Sequence, residues 1–98
     1  DPLLHLLNRA PGHGAVARCL SLAGPGDAIL LLADGVYCAL PGSDFAGHLD
    51  NRGIAVHVLD EDAAARGILP LVRSPFQVVD MDGFVELTEC FARSQSWY

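Results

Sequence analysis

The chain has 98 residues, 51% of them apolar and only 18% charged, and a formal net charge of −6. A chain of this size buries roughly two thirds of its unfolded surface and has no room for two cores, so residues 1–98 are read as one domain. The acidic balance excludes nucleic-acid binding through phosphate contacts. With no membrane-length apolar run and no signal-peptide pattern at the start, a soluble cytoplasmic protein is expected.

Leu3-Leu-His-Leu-Leu7 reads as a first strand, closed by the turn-forming Asn8-Arg9-Ala10-Pro11-Gly12. Over residues 13–23, Val16, Cys19, Leu20 and Ala23 recur at helical spacing and predict an amphipathic helix that stops at Gly24-Pro25. Cys19 falls on the stripe that faces the sheet. Residues 28–32 form an uninterrupted apolar run between Asp27 and Asp34, the pattern of a central strand covered on both faces. Residues 34–40 suggest a short helix. Residues 44–51 form a second amphipathic segment that can bury Phe45 and Leu49, with Ser43 or Asp44 as its cap.

Residues 55–59 repeat the apolar run as a third strand. Asp60 is a natural N-cap for a helix through Arg66, with Glu61 and Asp62 in the first turn, where the helix dipole favours negative charge, and Gly67 past its end. Residues 68–74 connect to a fourth strand at 76–79. Asp80 or Asp82 then caps a last helix whose Phe84, Leu87, Thr88 and Phe91 share one side. Residues 94–98 are a tail that Trp97 and Tyr98 pin to the domain or to a partner. The resulting βαβαβαβα order predicts a three-layer α/β/α, flavodoxin-like fold with a mainly parallel sheet of four or five strands. The simplest strand order with helices on both faces is 2-1-3-4. Its ligand crevice would lie between the first and third strands, facing residues 8–13 and the turn at Asp60.

Gly12-His-Gly-Ala-Val-Ala17 fits the dinucleotide pattern G-x-G-x-x-A, and Asp34 ends the next strand where a ribose-binding carboxylate would sit. A free-standing nucleotide-binding enzyme is therefore the alternative reading. Against it, residues 8–11 separate the first glycine from the strand, and a Pro-Gly turn into a helix explains both glycines. The loop lacks the hydroxyls of an FMN site, and Asn8-Arg9 stands where a phospho-receiver needs acids. The acids Asp60, Glu61 and Asp62 could be read as a metal or general-base cluster, but capping and the helix dipole alone explain three acids in a first helical turn. Cys19, Cys38 and Cys90 and the histidines His5, His13, His48 and His57 have neither disulfide nor zinc spacing, so no metal or cofactor is signalled. Cys19 is the one candidate for chemistry, as a sulfur carrier activated by Arg18 or His13; a small apolar residue on a buried stripe is the simpler reading. Cys38 and Cys90 read as packing or surface residues.

Leu4-His5, Leu7-Asn8-Arg9 and Pro11, then residues 30–36, 59–67, Asp80, Phe84-Val85, Leu87-Thr88 and Gln95-Ser-Trp97 together resemble the TusB/DsrH family of small sulfur-relay subunits. The resemblance spans nearly the whole chain and implies a DsrEFH-like α/β fold. It also implies a place in a heterohexamer, two copies each of this chain and two related subunits, TusC and TusD or DsrF and DsrE. That complex takes up persulfide sulfur and hands it to a TusE- or DsrC-like acceptor, serving tRNA 2-thiolation or sulfur oxidation. The principal sulfur-accepting cysteine belongs to the TusD or DsrE subunit, so this chain is expected to be mainly architectural. DsrH-like members carry a cysteine in the first helix, which Cys19 matches. Phe91 departs from relatives that carry a histidine before the C-terminal tryptophan. Assembly would also account for the apolar excess.

Overall fold

A computed structural model describes residues 1–98. Strand β1 (Leu3–Leu7) leads into helix α1 (Gly14–Leu22), and β2 (Ala28–Leu31) into two 3-10 segments, Ala33–Ala39 and Ala46–Leu49. Strand β3 (Ala55–Leu59) is followed by α2 (Asp60–Ala65) and a 3-10 turn at Leu69–Leu71. Then come β4 (Gln77–Val79), α3 (Met81–Cys90) and β5 (Arg93–Trp97). All five strands are parallel, in the order β4-β3-β2-β1-β5.

This order replaces the expected 2-1-3-4. From β1 to β4 each connection steps one strand in the same direction, so right-handed crossovers keep α1, the 3-10 segments and α2 on one face. Only the return from β4 to β5 runs the other way, and it carries α3 to the opposite face. The core follows that division. On one side Val16 and Cys19 of α1, Phe45, Leu49 and Ala63 of α2 bury Leu7, Ile29, Leu31, Val56 and Val58. On the other, Phe84, Leu87 and Phe91 cover Leu4, Ala28 and Leu30. Helices that leave neighbouring strands for opposite faces open a crevice, and here those strands are β3 and β4.

Strand β5 lay hidden in the expected tail. Its Arg93-Ser-Gln-Ser sequence has no apolar run; it holds its place through in-register pairing with β1, from Leu3 opposite Arg93 to Leu7 opposite Trp97. Trp97 pins it, whereas Tyr98 is 71% exposed and pins nothing. Thr88 also departs from expectation: it is exposed and its hydroxyl donates to the Val85 carbonyl.

The caps expected at the starts of α2 and α3 differ in outcome. Asp80 caps α3 by accepting from the Gly83 N–H at 2.8 Å. Asp60, however, is the first residue of α2 and makes no cap bond. Its neighbour Asp62 instead accepts from the Ala33 N–H at 2.7 Å and stabilises Ala33 at a φ of 49°. Just beyond, the Leu32 N–H donates to the Leu7 carbonyl, and the backbone at Gly35 packs against that same carbonyl. A Cβ at Gly35 would overlap the Leu7 oxygen, so the 3-10 segment can lie on the end of β1 only with glycine there.

The buried polar centre of the fold is Asp27. Its Oδ1 accepts from the Leu3 N–H at 2.9 Å, and its Oδ2 from the Gly24 N–H at 3.0 Å and from His5 Nε2 at 2.8 Å. Trp97 Nε1–H donates to His5 Nδ1 at 3.0 Å. With Nδ1 accepting, the proton of neutral His5 is on Nε2, and a fully buried ring has both nitrogens satisfied. Burial works to raise the Asp27 carboxyl, but the hydrogen bonds from His5, Gly24 and Leu3 outweigh it and hold the group below its ordinary value.

Gly35→Ala should lower the urea midpoint by the equivalent of about 1–3 kcal/mol, the range for forced overpacking. A carboxylate with a lowered folded pKa stabilises the fold above its unfolded value of about 3.9 and loses that stabilisation as pH falls through the folded value. Urea midpoints measured from neutral pH downwards should therefore fall below about pH 4. Asp27→Asn should be less stable at neutral pH and show a shallower acid decline.

Candidate functional site

Cys19 lies on the sheet-facing side of α1 and is fully buried. Burial pushes its thiol up to about 12, with the Arg52 cation pulling down and the Asp27 carboxylate pushing up. Arg52 is already engaged: it donates to the Leu20 and Ala23 carbonyls at 2.8 and 2.6 Å and to the His48 carbonyl at 3.2 Å, satisfying the carbonyl end of α1. The activators expected for Cys19 do not reach the core. Arg18 is exposed, and exposed His13 uses Nδ1 to accept from the Ala15 N–H as the N-cap of α1. Cys38 is also buried, its thiol pushed up to about 12 by burial and then by Cys19, with Sγ 4.0 Å from the Arg9 carbonyl. Cys90, at the end of α3, is exposed. At neutral pH both core thiols are therefore protonated and shielded.

The glycine turn is explained without a ligand. Gly12 has a φ of 94°, which a tight turn requires, and Asp34 accepts from Arg66 Nε at 3.0 Å instead of standing free. The histidines are dispersed. His5 is in the Asp27 network, His13 caps α1, and His48 lies 3.5 Å from Asp44 on one exposed turn. His57, on β3, is half-buried, and burial lowers its pKa.

Segments 4–11, 30–36 and 59–67 meet at the carboxyl ends of β1, β2 and β3, where their residues hold one another. Gly35 packs on Leu7, Asp62 binds Ala33, and Arg66 bridges Asp34 and the Asp62 carbonyl. Phe91 packs against the Leu4 cluster, and Trp97 reaches His5. The segments that carry the resemblance thus form a framework.

One open part of the carboxyl edge is the crevice between β3 and β4; a smaller cavity of about 210 Å³ lies between the turn Pro11–Gly14 and Ser43, Phe45 and His48. A cavity of about 370 Å³ in the β3–β4 crevice is lined by Asp60, Glu61, Ala64, Leu69, Asp80, Met81 and Asp82. None of its four carboxylates is in an ion pair. The expected crevice at Asp60 is present, but its other wall is the start of α3 and not residues 8–13. The sequence offers Asp60, Glu61 and Asp62 as a metal or general-base cluster but explains them more simply by their helix position, and it gives no role to Asp27 and His5. A histidine inside the apolar run Leu3–Leu7 was the available signal, since a buried imidazole needs partners.

Alkylation of the folded chain at pH 8 with iodoacetamide should modify Cys90 rapidly and leave Cys19 and Cys38 protected until urea is added, as read by peptide mass spectrometry.

A family model described as DsrH-like protein matches residues 10–94. Protein TusB of Shigella dysenteriae is 36% identical over 95 residues, covering 97% of this chain and 100% of the relative; Protein TusB of Escherichia coli K12 gives the same values. Among solved structures, the ychN protein of E. coli superposes with a TM-score of 0.70 at 14% identity, covering 99% of this chain and 100% of that one. Protein Tm0979 of Thermotoga maritima gives 0.65 at 20% identity, covering 90% and 93%. Those two share the fold. On the full-length likeness to TusB and the match of the family model, the chain belongs to the TusB/DsrH family.

Proposed function

We propose that this chain is a sulfur-relay subunit that contributes by assembly rather than by chemistry of its own. The observation that carries this reading is the state of its thiols: both cysteines near the first helix and the central sheet are buried and held near 12, while the one exposed cysteine has no activating neighbour in the hydrogen-bond or ion-pair network. Six large apolar side chains stay exposed, which suits a subunit that buries part of its surface against partners. The partners in this reading are two related small α/β subunits, TusC- and TusD-like or DsrF- and DsrE-like, in a 2:2:2 cytoplasmic complex. A TusE- or DsrC-like protein accepts the sulfur. Whether sulfur ends in tRNA or in sulfur oxidation is set by those partners.

A persulfide on Cys19 belongs to this proposal only in a form in which α1 has lifted from the sheet, because sulfur transfer needs an accessible thiolate. Native mass spectrometry of the tagged chain, purified from its own cells without reductant, should give a hexamer with two other small subunits. The 32 Da sulfur adduct should sit on a partner and not on this chain. A lone chain, or one holding a stoichiometric nucleotide, would defeat the assembly reading. An adduct on this chain that disappears in Cys19→Ser would make Cys19 a carrier.

A further inference from the structure

We propose that the β3–β4 corner is a docking surface for an extended segment of a partner protein that carries a lysine or arginine between apolar residues. The proposal goes beyond the assembly reading by assigning a surface and its chemistry, and rests on that reading only for the existence of a protein partner. Strand β4 pairs with β3 alone, so its outer backbone groups are free along a three-residue edge. Around that edge, Leu71 is 45% exposed, Val78 46% and Met81 42%, half of the large apolar side chains the fold leaves in water. Leu71 belongs to the turn before β4, Val78 is in β4 itself and Met81 is the first residue of α3, two positions after the strand, so they bracket one corner of the sheet.

The crevice supplies the charge. Asp60 and Glu61 enter it from α2, Asp80 from the N-cap of α3 and Asp82 from that helix's first turn, with Leu69, Ala64 and Met81 between them. No cation of the chain answers these acids: Arg66 is paired with Asp34, and Arg73 donates to the Pro70 carbonyl. A cavity with carboxylates at its rim and apolar side chains among them matches a side chain with an apolar stem and a cationic head. An anionic ligand would be repelled. A second copy, with a net charge of −6, would bring like charge to like. The match is an amphipathic strand added at the β4 edge, where backbone bonds give affinity and the acidic cavity selects the basic residue.

The test is a 15N-NMR titration of the full chain with the peptide acetyl-Val-Lys-Val-Lys-Val-amide, and with the same peptide carrying glutamate for lysine. The lysine peptide should perturb amides of Gln77–Val79, Asp60, Glu61, Leu69 and Met81, and the glutamate peptide should not. Glu61→Gln combined with Asp82→Asn, two exposed side chains outside the caps, should weaken the lysine peptide about fivefold or more with the remaining spectrum unchanged. Perturbation elsewhere, an equal response to the glutamate peptide, or no response would overturn the proposal. Protein-concentration-dependent shifts of these same amides without peptide would assign the corner to a second copy and overturn it as well. Each of these outcomes is independent of whether the hexamer forms.

Discussion

The fold depends on one carboxylate. Asp27 gathers the start of β1, the chain just past α1 and the His5 ring, and through His5 it reaches Trp97 at the far end of β5. A buried carboxylate is tolerated only when its lone pairs are filled, and here three donors fill them. A hydrophobic residue at 27 could pack, but it would leave the Leu3 and Gly24 N–H groups and a histidine nitrogen unpaired in the interior. The sheet's central strand and its last edge are therefore specified by the same polar chain, laid through an apolar layer.

Much of the fold was legible in the sequence. Residues 28–32 and 55–59 announce buried parallel strands because nothing polar interrupts them except His57, and α1 is announced by Val16, Cys19 and Ala23. The strand order was not legible, because apolar runs say which segments are covered and nothing about which is beside which. Strand β5 escaped for a different reason. An edge strand on a parallel sheet needs only backbone pairing on one side, and Ser94, Gln95 and Ser96 carry no mark of burial. The site was legible in part. Cys19 was rightly placed on the buried stripe, and the turn at Asp60 does open on the crevice. The opposite wall depended on where α3 goes, which in turn depended on β5.

The distribution of chemistry fits a chain whose surface matters more than its interior. Its core holds two neutral thiols, and the segments that resemble the family lock the loops at the carboxyl ends of β1 to β3 to one another. The two sheet edges differ in kind. One is the polar strand β5, anchored by Trp97; the other is the short β4, with exposed apolar side chains and unanswered acids beside it. Such asymmetry is what the proposed assembly would use, since it offers each neighbour a different surface.

The pairing of β1 with β5 has a kinetic consequence. Leu3 lies opposite Arg93, so closing that part of the sheet means bringing together positions about 90 residues apart. The strands from β1 to β4 can zip up through successive short crossovers, each with a modest loop to close. Until β5 arrives, β1 is an edge strand, and the buried histidine beneath Trp97 lacks its donor. The last strand thus acts as a latch on the whole sheet: the chain's most polar strand closes on one of its most apolar.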